Sequence, residues 1–97
     1  MKNIPLKIVD MVLGEQTAKL NYKKQIASIL ENPPDRVSID EMRRSIRVLD
    51  ALEKVEDVLV LEDADFEHLK KVVLAAKWPM VNKVILTFTE DVTNPVP

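Results

Sequence analysis

The spacing of apolar positions changes several times along the chain, and each change marks an element. Ile4, Leu6 and Ile8 are separated by single residues, close to the two-residue period of a strand. Pro5 blocks a helix interior at the same place. Gly14, the only glycine, follows the apolar run that ends at Leu13. It predicts a turn, because glycine takes positive φ at little cost. The expectation is an extended segment over 4–13 and a return strand over 16–20. From Asn21, a fitting N-cap, Tyr22, Ile26, Ile29 and Leu30 recur at helical spacing through Glu31. Pro33 and Pro34 end that helix, since a residue before proline is pushed out of the α region.

The clearest local signal is Ser38-Ile39-Asp40-Glu41, a capping box in which serine and glutamate satisfy each other's backbone amides. Ile39, Met42, Ile46, Leu49, Leu52 and Val55 follow at steps of three and four, which predicts a core-facing stripe on a helix of about five turns closed by Asp57. Val58–Leu61, reading VLVL, is too short for a helix and reads as a short strand or an extended linker. Glu62 or Asp63 then starts a third helix with Phe66, Leu69, Val73 and Ala76 on one face, stopped near Trp78-Pro79. A fourth helix is expected over about 80–90, carrying Val81, Val84, Ile85, Phe88 and Val92. The expected fold class is mainly α: a bundle of about four helices with an extended or β-hairpin N-terminal segment and a short strand near 58–61. The domain spans 1–92, and 93–97 is read as a flexible tail.

Composition narrows this picture. The 97 residues make one domain at most, 46% hydrophobic and 31% charged, so an ordinary core of aliphatic residues is within reach. There is no cysteine, which removes disulfides, thiolate metal sites and thiol nucleophiles and fits a reducing compartment. No apolar run reaches the ~18 residues of a membrane span, and Pro5 and Lys7 interrupt any signal-like segment. The expected setting is cytoplasmic. The net charge is only −2, yet it is unevenly placed. Arg36, Arg43, Arg44 and Arg47 are all the arginines, and residues 50–67 then hold eight acids against the single Lys54.

The acids invite a chemical reading, which the spacing refuses. A calcium loop counted from Asp63 needs glycine sixth and glutamate twelfth, but has His68 and Leu74. A zinc site lacks both cysteine and a second histidine beside His68. Asp65 and His68 share a helix face at i,i+3, as a general-base pair would, but no nucleophile loop or oxyanion donor accompanies them. A surface position is expected for His68. Acids at the start of a helix instead face its positive end. The single glycine also rules out a phosphate-cradling loop. No catalytic residue, metal or cofactor is therefore expected. The arginines suit phosphates or an acidic protein surface, and on a helix Asp40–Arg44 and Arg47–Asp50 are expected to pair locally.

Three segments resemble pieces of small proteins encoded by tailed bacteriophages and prophages, most without assigned function: Ile8-Val-Asp-Met-Val-Leu-Gly-Glu15, Met42-Arg-Arg-Ser-Ile-Arg-Val-Leu49 and Val60-Leu-Glu-Asp-Ala-Asp-Phe-Glu-His-Leu-Lys-Lys71. The resemblance implies a viral context, the host cytoplasm or the virion, and carries no catalytic residues. With the charge pattern it leads to one expectation: a non-enzymatic protein–protein interaction module acting in virion assembly or host takeover. The expected partner-binding residues are Arg36, Arg43, Arg44 and Arg47 on the basic side and Glu62, Asp63 and Asp65 on the acidic side. The partner is another protein or further copies of the chain, not a membrane. The alternative is a nucleic-acid-associated regulator using Arg43, Arg44 and Arg47.

Overall fold

The computed structural model describes residues 1–95. Among the described residues eight elements follow one another: β1 (Lys2–Pro5), β2 (Ile8–Leu13), β3 (Gln16–Asn21), α1 (Tyr22–Glu31), α2 (Ile39–Glu53), β4 (Val58–Leu61), α3 (Asp63–Ala75) and α4 (Lys83–Thr93). The class is α+β, which corrects the mainly α expectation. Among the described residues there are four helices, but the segment up to Asn21 is mostly strand, and the strands form two separate antiparallel pairs, β1 with β4 and β2 with β3.

The β1–β4 pair is the feature that changes the class. Lys2 lies opposite Leu61 and Pro5 opposite Val58. Along the two strands Ile4, Leu59 and Leu61 turn inward and are buried, while Val58 and Val60 face out. Leu6 N–H donates to the Asp57 carbonyl at 2.8 Å and extends the pairing past Pro5, which has no N–H to give. The extended stretch expected over 4–13 is thus two strands in two sheets, split at Leu6-Lys7. The partner of β1 lies more than fifty residues away, and local periodicity carries no signal for such a pairing.

β2 and β3 form a hairpin from Ile8 opposite Asn21 to Leu13 opposite Gln16. Gly14 has φ +64° in the two-residue turn, the conformation for which a side chain is penalised. Asn21 ends the hairpin and begins α1 at once, its side chain accepting from Lys24 N–H at 3.2 Å.

The helices meet around Tyr22, Ile26, Val48, Leu52, Leu69 and Phe88, all at most 2% exposed. Tyr22 and Phe88 meet edge to face at 4.9 Å between ring centroids, and Trp78 meets Phe88 edge to face at 6.3 Å. The capping box of α2 forms as its sequence dictates, with Ser38 Oγ accepting from Glu41 N–H at 3.1 Å. The helix stops at Glu53, about a turn short of Asp57. Lys23 of α1 closes that end, its ammonium donating to the Val55 carbonyl at 2.8 Å. α4 starts later than expected, at Lys83, because Asn82 caps it by accepting from Val84 N–H at 2.8 Å. This leaves Val81 in solvent. At the other end Thr93 belongs to the helix and is buried, so the tail foreseen over 93–97 starts no earlier than Asn94. Residues 96–97 lie outside the described part. No helix of the described residues is long and apolar enough to cross a membrane.

The largest correction within the helices concerns α2. The stripe expected to face the core is exposed along its first half: Ile39 62%, Met42 44% and Ile46 49%. The buried positions are Val48 and Leu52. Leu49 lies at the boundary and is half-buried. Apolar residues therefore occupy more than one side of this helix. Periodicity finds the helix but cannot choose between two apolar sides, and the neighbours α1, α3 and β4 take the one holding Val48 and Leu52.

Candidate interaction surface on helix α2

The outer side of α2 is built from its own spacing. Ile39, Met42 and Ile46 fall on successive turns, and side chains three and four apart lie above one another on a helix. Their line continues to the half-buried Leu49 and the exposed Glu53. Arg43 and Asp50, both exposed, border it on the same flank. Scattered exposed apolar residues are ordinary on a protein surface, whereas these three share one side of one helix and make it the candidate contact surface.

The expected partner-binding residues do not behave as one group. Arg44 pairs with Asp40 at 3.4 Å, the i,i+4 pair the sequence predicts. Arg47 passes over Asp50 and reaches Asp65 of α3 at 3.1 Å, and the Asp65 carboxylate is only 20% exposed. The basic and acidic stretches therefore meet inside one molecule. With the Arg47 end in solvent, such a pair contributes about 1 kcal/mol or less, so its main effect is to fix where Arg47 points. Asp63 lies 3.8 Å from the N-terminal ammonium. Asp63 and Asp65 occupy the first turn of α3, where its positive end favours them. Glu62 stands at the N-cap position without capping through its side chain. Arg36 is exposed in the loop before α2. Among the described residues, Arg36, Arg43, Asp50, Glu53 and Glu62 form no ion pair.

His68 departs from expectation. It is 6% exposed, and its Nε2 lies 2.8 Å from Ser45 Oγ across the α2–α3 contact. No sequence signal marked Ser45, because a lone serine in a helix has no partner until the helices are docked. His68 also borders a groove with Ser38, Asp40, Glu41, Arg44, Glu67 and Lys71. Three carboxylates face two cations there, so the groove is not built for an anion. Among the described residues no three His, Cys, Asp or Glu side chains converge as a metal site would require.

Burial lowers the His68 pKa below its ordinary 6.5; Glu41 opposes this, Arg44 and Lys71 add to it, and Asp65 opposes it weakly. The unfolded chain then binds a proton that the folded one resists. Stability is lost as pH falls through about 6.5 and is unaffected by this group above it. His68→Gln keeps a partner for Ser45 but does not titrate. It is expected to flatten the urea midpoint between about pH 7 and pH 5 relative to the unaltered protein. Parallel pH profiles for the two proteins would contradict the buried placement of His68.

No family model, no curated protein and no solved structure matches the chain.

Proposed function

We propose that the protein acts by binding protein, without catalysis of its own, through the outer side of α2. The observation that carries this reading is the row Ile39, Met42 and Ile46, three large apolar side chains 44–62% exposed on consecutive turns of one helix. Covering such side chains is the dominant gain in protein association, and Arg43 and Arg36 at the border supply the charged rim that selects a partner. The capping box holds the helix in place before any partner arrives, so little ordering is lost on binding. Nucleic acid is the weaker reading, because Arg44 and Arg47 are already directed at Asp40 and Asp65 and the net charge is −2. The setting, virion assembly or host takeover, follows from the resemblance of segments 8–15, 42–49 and 60–71 to phage-encoded proteins.

A photoreactive amino acid placed at Met42 tests the surface, with Thr87 on the exposed side of α4 as the comparison site. The expected result in producing cells is a discrete adduct of defined mass from position 42 alone, lost when Ile39 and Ile46 are both changed to serine. No adduct, or the same smear from both positions, would overturn the assignment.

A further inference from the structure

We infer that the chain covering α2 is a second copy of this protein, laid antiparallel across a twofold axis. The inference rests on the reading that the outer side of α2 binds protein, and it names the occupant. What carries it is the order of charges along that side. Arg43 lies in the N-terminal half of the row, and Asp50 and Glu53 lie in its C-terminal half. All three are exposed, and none forms an ion pair among the described residues. The remaining arginines of the helix are engaged at home, Arg44 with Asp40 and Arg47 with Asp65. One unpaired cation and two unpaired anions thus flank one apolar row, separated by about two turns with Ile46 between them.

A surface of this kind is complementary to itself in one orientation. A twofold axis passing beside Ile46 reverses the second helix. It sets Ile46 against its own copy and Met42 against the Leu49 region. It also brings Arg43 of each chain within a turn of Asp50 and Glu53 of the other. Parallel packing would instead set Arg43 beside Arg43 and the acids beside the acids, and like charges face to face disfavour it. Twofold contacts are self-complementary by construction, so each attraction occurs twice. The exposed Val37 ahead of the helix extends the apolar contact at each end. α2 has 15 residues, about 22 Å of helix, which gives an interface at the small end of the specific range. The dimer is therefore weak and concentration-dependent, with dissociation in the micromolar range expected.

Sedimentation of the full chain up to high micromolar concentration tests this with two charge variants. Arg43→Glu places glutamate against Asp50 and Glu53 of the other chain. The double variant Asp50→Arg, Glu53→Arg places two arginines against Arg43. Each alone is expected to associate at least about tenfold more weakly than the unaltered protein. An equimolar mixture of the two is expected to dimerise again, because both contacts then pair opposite charges. Misfolding would not be repaired by mixing, so restoration is specific to the interface. An unaltered protein that stays monomeric throughout, an Arg43→Glu protein that dimerises normally, or a mixture that stays monomeric each overturns the inference. A monomer whose position 42 crosslinks to a chain of different mass would leave the binding surface standing and remove only the second copy. A dimer indifferent to Arg43, with no adduct at position 42, would remove both.

Discussion

Phe88→Ala is expected to cost about 3–5 kcal/mol, the range for deleting a fully buried aromatic ring. Phe88 is 0% exposed and projects from α4 into the space between Tyr22 of α1 and Trp78, which follows α3. Its loss removes the ring that Tyr22 and Trp78 contact edge to face, adding the pair energies to the cavity. A domain of this size holds on the order of 5–10 kcal/mol in total, so the change removes a large share of it. In thermal unfolding followed by circular dichroism, the midpoint is expected to fall by more than about 15 °C. Leu86→Ala two residues away is the control. Leu86 is 59% exposed on the same helix, and its loss is expected to stay within roughly 0.5 kcal/mol. Equal shifts for the two would mean that α4 packs on a different face.

The core side of α4 is legible in the spacing, because Ile85, Phe88 and Val92 fall on one apolar line, although Val84 and Leu86 beside Ile85 are apolar as well. α1 was legible for the same reason, down to its ends: Asn21 caps it and Asn32 precedes two prolines. α2 shows where the method stops. Its boundaries at the start are written in Ser38 and Glu41, but its apolar residues wrap past one face. The position facing the core is decided by Val48 meeting the rest of the core, which no spacing rule encodes. The candidate surface was readable in part. The clustering of the arginines along the chain points to Arg36 and Arg43, whereas the spacing places Ile39, Met42 and Ile46 in the core, and they emerge as surface once the helix is docked. The spacing points Arg47 to Asp50 or to a partner and Asp65 to a partner, and the fold joins Arg47 to Asp65 instead. Sequence distance again explains the miss, since docking α2 on α3 brings residues eighteen apart together. His68 and Ser45 repeat the lesson with a part-buried polar pair.

Charge and apolar surface therefore carry separate roles on α2. The side turned to α3 carries the Arg47–Asp65 and Lys71–Glu41 pairs and the His68–Ser45 contact, all joining the two helices. The opposite side carries unpaired charges around an apolar row, which have no role within the monomer. A helix whose inner contacts are polar at its edge and whose outer row is apolar is better suited to holding a partner than to adding core.

The class of the fold rests on β1 and its distant partner, and Ile4→Ala is the direct test of that pairing. Ile4 is 0% exposed and lies opposite Leu59, itself 0% exposed, so the two side chains share one interior site from opposite strands. If residues 2–5 were a loose arm, as a helical bundle with an extended terminus would have it, truncating Ile4 would change little. In the paired arrangement the truncation leaves a cavity that β4 and α3 cannot readily close, because Leu61 and Phe66 are already packed beside it. The expected cost is about 2–5 kcal/mol, read as a lower urea midpoint at unchanged slope. Leu59→Ala is expected to cost a similar amount. The double variant is expected to cost less than the sum, since both changes enlarge one shared space. Additive losses would place the two side chains in separate environments and remove the pairing. A neutral Ile4→Ala would return β1 to the status of an arm and leave the outer edge of β4 without its partner strand.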